Sequence, residues 1–170
     1  MSATIYSTET LIADDEGTQS MPYQDPDGIW TVGVGHNCEA SGLPAGICQD
    51  APDGLDWADG VLAFLQNRGG LNPTEIDALF QHDLAIAAQD LAYCLPTADT
   101  LVLPRYAAMI DMCFNLGRAG LMEFNRFLHL METGDYTGAA ADLRETLVYR
   151  QLPVRYERLA NIISKGEWPA

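Results

Sequence analysis

The apolar positions recur at helical spacing over most of the chain, and they alternate with polar positions in one short stretch near its start. Leu11 and Ile12 centre a short helix predicted from Ser7 to Asp15. Gly17 stops it, because glycine is the usual residue just past a helix end, and Glu16 therefore sits on the last turn. Ile29 to His36 alternates: Trp30, Val32 and Val34 share one face, and Thr31, Gly33 and Gly35 share the other. Before it, Asp25-Pro26-Asp27-Gly28 places Asp at the first position of a turn and Pro at the second, so this strand should close a β-hairpin with Met21 to Gln24. Two glycines on the side of Thr31 point to close approach by a ligand or another backbone. A helix-end Glu16, a turn Asp25 and a strand Thr31 are then expected to line one cleft.

Beyond the hairpin, Asn37 to Gly54 reads as a long surface loop ended by a Pro52-Asp53-Gly54 turn. Leu55 to Asn67 is predicted helical on Leu55, Val61, Leu62 and Leu65, with Gly69-Gly70 as its stop. Asn72-Pro73-Thr74-Glu75 is a helix start, with Asn as cap and Pro at the first position. Ile76, Leu79, Phe80, Leu84, Ile86 and Leu91 then keep helical spacing to Tyr93, making a long connecting helix. Pro104 to Leu116 lacks a polar face and is expected to be a core helix ending at Gly117. Leu121 to Glu132, Gly138 to Tyr149 and Val154 to Ser164 are predicted amphipathic helices. There are no repeats. The expected fold is α+β, one domain over 1–170, with a small hairpin lobe (about 14–72), a connecting helix (about 73–93) and a mostly helical lobe (about 94–170 with the N-terminal helix).

Charge changes the picture more than composition does. Residues 1–104 hold sixteen carboxylates and one cation, Arg68, whereas residues 105–170 hold eight of each. Such a field disfavours nucleic acid, an anionic membrane surface and an anionic wall alike, and it also fits a solubility or high-salt adaptation. No apolar run reaches the length of a membrane span, and MSATIYSTET has neither a basic residue nor an apolar core, so no membrane anchor and no secretory signal are expected. Cys38 and Cys48 flank a Gly/Pro/Ser-rich excursion that a disulfide could staple in an oxidising setting. Cys113 reads as a small buried hydrophobe and Cys94 as a free thiol. His36, Cys38 and Cys48 fit no zinc spacing, and Asp50, Asp53, Asp56 and Asp59 recur every third residue where a calcium loop uses every second, so no metal is expected.

Glu16, Asp25 and Thr31 stand in the pattern E-x8-D-x5-T followed by G-x-G-H, which resembles the signature of T-even bacteriophage lysozymes and their endolysin relatives, glycoside hydrolase family 24. Leu79-Phe80 with Asp83, Phe114-Asn115-Leu116-Gly117, Phe124 and the stretch from Tyr149 to Arg158 continue the likeness to Trp168. The resemblance implies a muramidase without a cofactor, cutting the β-1,4 bond between N-acetylmuramic acid and N-acetylglucosamine of peptidoglycan. Glu16 would be the acid. Its helix end and its neighbours Asp14 and Asp15 favour the protonated form, and Arg155, matching the family's arginine partner of the acid, pulls the other way. Asp25 and Thr31 would hold the attacking water, with inversion at the anomeric carbon. Asp27 competes for the second carboxylate, but its turn position and spacing argue for surface. The resemblance makes His36 and Asp83 a structural pair and nominates Gly35, Phe114, Asn115, Tyr149, Gln151 and Arg155 as sugar-binding positions. Val148 stands where many relatives place Trp, and Leu152 replaces a small hydroxyl residue.

A monomer is expected, acting either as a phage endolysin kept in the host cytoplasm until release to the periplasmic wall or as a secreted antibacterial effector with an immunity partner. A catalytically retired wall-binding module and a chitin-directed glycosidase are the rival readings.

Overall fold

The computed structural model describes residues 7–26, 28–51 and 60–169. The predicted turn at Pro52 to Gly54, Leu55, and Asp27, Asp53, Asp56 and Asp59 lie outside the described residues. The chain divides into two compact units, residues 16–84 and residues 85–170 with 1–15. It is an α+β fold, mostly helical, with one three-stranded antiparallel sheet.

The first helix, α1, spans Thr8–Glu16 and buries Leu11 and Ile12. In the 16–84 unit, β1 (Gln19–Gln24), β2 (Trp30–Gly33) and β3 (His36–Asn37) lie in the order β1-β2-β3. The hairpin turn forms as its sequence dictates: Gly28 N–H donates to the Asp25 carbonyl at 2.9 Å, and Asp25 N–H to that of Ile29 at 3.0 Å. Gln24 then faces Trp30, and Tyr23 faces Thr31. The single strand expected from Ile29 to His36 is instead two. Gly33 (φ 66°) and Gly35 (φ 74°) take left-handed backbone, so the chain reverses and β3 returns along β2, with Val32 opposite His36. The alternation of side-chain types had concealed a turn.

The expected loop after Asn37 opens with a short helix, α2 (Cys38–Ser41), whose Ala40 N–H is capped by Asn37 Oδ1. The next helix, α3 (Val61–Arg68), follows a left-handed Gly60 (φ 101°), and the part of the predicted helix before Gly60 lies outside the described residues. At α4 (Pro73–Cys94) the cap is reciprocal: Asn72 Oδ1 accepts from Glu75 N–H at 3.0 Å, and Glu75 Oε2 accepts from Asn72 N–H at 2.8 Å. Val32, Cys38, Leu43, Val61, Leu65 and Leu79 close this unit's core.

In the other unit, α5 (Leu103–Met122) buries Ala107 to Cys113 and breaks its helical geometry at Gly117 (φ 66°, ψ 173°). The turn after Gly117 belongs to α5, so α6 runs Asn125–Glu132 rather than starting at Leu121. The helix expected from Gly138 to Tyr149 is two, α7 (Tyr136–Arg144) and α8 (Leu147–Gln151). Thr146 divides them by turning extended and capping Tyr149 N–H with its hydroxyl. The last helix, α9 (Pro153–Lys165), packs on α5, α7 and α8 through Tyr156, Leu159, Ala160 and Ile163.

Candidate active site

Three local choices bring the predicted catalytic side chains to the hairpin. Glu16 is the last residue of α1, and its side chain lies against the backbone of Gly35: a methyl group there would stand 3.0 Å from Glu16 Oε2. Asp25 heads the turn and accepts Ile29 N–H on Oδ1 at 2.9 Å, as an Asp in that position does. Thr31 is only 5% exposed, and its hydroxyl donates to the Ile29 carbonyl at 3.2 Å, so the expected open strand face is closed at this residue. Tyr23 lies across the ladder from Thr31. Burial, then the charges of Glu16 and Asp25, raise its phenol pKa above 10. Sequence reasoning passed over Tyr23, although its period-2 relation to Asp25 was the signal available.

Gly35 makes a direct test of this closeness. Gly35→Ala forces a side chain into left-handed backbone, at a cost of about 1–2 kcal/mol, and pushes on the Glu16 carboxylate. Turnover of cell-wall substrate is expected to fall about tenfold through displacement of the Glu16 carboxylate, and the melting temperature by roughly 2–8 °C through the backbone strain, with helical content by circular dichroism unchanged.

His36, 3% exposed, sits at the start of β3 with both ring nitrogens engaged. Nδ1 lies 2.8 Å from Asp83 Oδ2, and Nε2 lies 2.8 Å from the Gly42 carbonyl. A carbonyl accepts only, so Nε2 carries a proton; a carboxylate at Nδ1 favours a second. Burial pulls the imidazole pKa down, but the hydrogen bond and charge of Asp83 with the Gly42 carbonyl outweigh it, and the net shift is above 6.5.

The nominated sugar-binding positions of the helical unit are placed as follows. Phe114 is half-buried on α5, and beside it Asn115 Oδ1 accepts from the Tyr156 hydroxyl at 2.8 Å. Tyr149 donates to Glu157 Oε2 at 3.2 Å, while Gln151 is exposed at the end of α8. Arg155 is buried, with its guanidinium on Asp111 at 2.8 Å and Asp15 at 3.3 Å. Val148 is half-buried and Leu152 is 40% exposed.

Residues 13–151 match the family described as phage lysozyme. The chain belongs to that family. It is 25% identical to probable T4-type lysozyme 1 of Dictyostelium discoideum over 95% of this chain and 96% of the relative, and 22% identical to probable T4-type lysozyme 2 of the same organism with the same coverage. It is 27% identical to the pre-baseplate central spike protein Gp5 of Enterobacteria phage T4 over 94% of this chain, which spans 28% of that longer protein. The chain is accordingly a glycoside hydrolase of lysozyme type, directed at peptidoglycan.

In this phage lysozyme family member the staple considered between Cys38 and Cys48 is absent. All four cysteines are free, and each of that pair has its own surroundings: Cys38 Sγ points to the His36 carbonyl at 3.9 Å, and Cys48 lies beside Glu75 and Arg68. Burial raises their thiol pKa values to about 12 and about 11, that of Cys113 to about 12, and that of Cys94 in the same direction. Cys48, Asp50 and Glu75 bring potential metal ligands within 4.8 Å of one another. Arg68 already supplies the cation there, at 3.3 Å from Asp50 and 2.8 Å from Glu75.

Proposed function

We propose that the lysozyme is a muramidase hydrolysing the β-1,4 bond between N-acetylmuramic acid and N-acetylglucosamine with inversion. Glu16 protonates the leaving oxygen as the glycosidic bond breaks. Asp25 and the Thr31 hydroxyl hold the water that attacks the anomeric carbon from the opposite face, and the Asp25 carboxylate takes its proton. The observation that carries this reading is that Glu16, in a chain matching the phage lysozyme family, lies against the Gly35 backbone of the same short sheet whose hairpin Asp25 heads. Phe114, Asn115, Tyr149 and Gln151 are assigned to sugar contacts on the helical unit. Proton NMR of fresh digests tests the stereochemistry: product should first appear as the α-anomer, and initial β-anomer overturns inversion. Wall fragments are expected to be cleaved in preference to chitin oligomers.

The biological reading we favour is a monomeric phage endolysin, held in the host cytoplasm and admitted to the wall when a holin opens the membrane. Expression in a Gram-negative host should lyse cells only when a holin is co-expressed; lysis without it overturns the delivery route. The acidic charge of residues 1–104 opposes an anionic wall, and this repulsion weakens as the Debye length drops from about 10 Å at 0.1 M salt to about 3 Å at 1 M. Wall digestion is therefore expected to hold or rise across that range, and a steep fall overturns the charge argument.

A further inference from the structure

The helical unit contains a charged cluster centred on Arg155. Asp111 stands in the middle of α5, the one carboxylate within its buried run, and is fully buried. Two N–H groups of Arg155, Nε and Nη2, reach the same oxygen, Oδ1, each at 2.8 Å, and Nη2 also lies 3.4 Å from the Asp111 carbonyl. Oδ2 is buried without a hydrogen-bond partner. The same guanidinium continues to Asp15 at 3.3 Å. Arg158, from the next turn of α9, also binds Asp15 and reaches the Leu11 carbonyl at 3.2 Å. Two arginines of α9 therefore grip the last turn of α1, and Asp111 holds one of them from behind.

We propose that Asp111 is a positioning residue which, through Arg155 and Asp15, sets the end of α1 and hence the direction in which the adjacent Glu16 faces. The inference rests on the reading of Glu16 as the acid. A fork of two donors on one oxygen fixes the plane of a guanidinium, and a neutral amide at Asp111 holds that plane less firmly. Asp15 then meets an arginine free to turn, and a small displacement of a catalytic group costs rate rather than binding.

The charged groups facing Asp111 are Asp15 on α1 and Arg155 and Arg158 on α9. Burial pushes its carboxyl up to about 7; Arg155 and Arg158 pull it down, and Asp15 pushes it up. The native protein keeps this proton above the pH at which the unfolded chain releases it. Ionisation of Asp111 therefore lowers native stability as pH rises from about 4 toward 7, while it tightens the hold on Arg155.

The test compares wild type, Asp111→Asn and Glu16→Gln on purified wall from pH 5 to 8, with melting temperatures in the same buffers. The kcat of Asp111→Asn should fall about tenfold below wild type at pH 8, with a smaller deficit at pH 5 and KM within twofold at both. Its melting temperature should gain on wild type over the same interval. A kcat equal to wild type at pH 8 overturns the proposal. If Glu16→Gln is inactive while Asp111→Asn follows wild type throughout, positioning fails and the acid assignment stands. If Glu16→Gln retains full turnover, both fail. Should Asp111→Asn not fold, Asp15→Asn, which opens the other end of the clamp, must lower kcat with KM unchanged; wild-type kcat in that variant overturns the proposal equally.

Discussion

Glu16→Gln should leave a folded protein whose turnover of cell wall is reduced about 10³-fold, the middle of the range supplied by a positioned general acid. Glutamine keeps the length and shape of the side chain, so the contact with the Gly35 backbone survives and the proton alone is lost. The interaction removed is made in the transition state, as the leaving oxygen gains charge, so kcat and kcat/KM should fall together while KM stays within a few-fold. Clearing of a purified wall suspension reads the rate, and thermal melting confirms that the fold is intact. A Glu16→Gln protein within tenfold of wild type sinks the assignment of the acid. Asp25→Asn at the hairpin head should also be nearly inactive, since an amide accepts no proton from water, although it still caps Ile29 N–H.

The second large effect concerns stability. Asp83→Asn leaves His36 buried with one nitrogen on the Gly42 carbonyl and its charge uncompensated. Breaking one side of such a buried pair costs about 3 kcal/mol, or roughly 8 °C in melting temperature for a domain of this size. The pH dependence has a definite sign. The His36 pKa is raised in the folded state, so the pair's contribution is fully present below 6.5 and is lost as pH climbs through the folded value above it. The gap in melting temperature between wild type and Asp83→Asn should therefore be widest near pH 6 and shrink as pH rises above the folded value. A gap that is the same at both ends of that range removes the imidazolium from the account.

Much of this was legible in the sequence because local chemistry and tertiary need agree. The x-P-D-G turn, the cap at Asn72, the glycine break at Gly117 and the apolar run of α5 each state a backbone requirement in residue types, and each is met. The hairpin strand was misread because alternation records side-chain polarity and is blind to the left-handed backbone that Gly33 and Gly35 permit. The α7–α8 break was hidden for a related reason. Helical spacing continues through Thr146, whose extended backbone and hydroxyl cap on Tyr149 N–H start a new helix there. Asp111 was out of reach for another reason: it matters through an arginine 44 residues away in the chain. E-x8-D-x5-T exposed the carboxylates because that segment folds back on itself within a few residues.

The thiols bear on where such a protein can travel. Disulfide exchange proceeds through the thiolate, and in this chain every cysteine is held toward its protonated form, three of them in buried positions. Passage from a reducing compartment to an oxidising one then leaves the covalent skeleton as it was: no bridge has to be made on arrival, and none has to be broken on departure. A wall-degrading enzyme built this way arrives already finished.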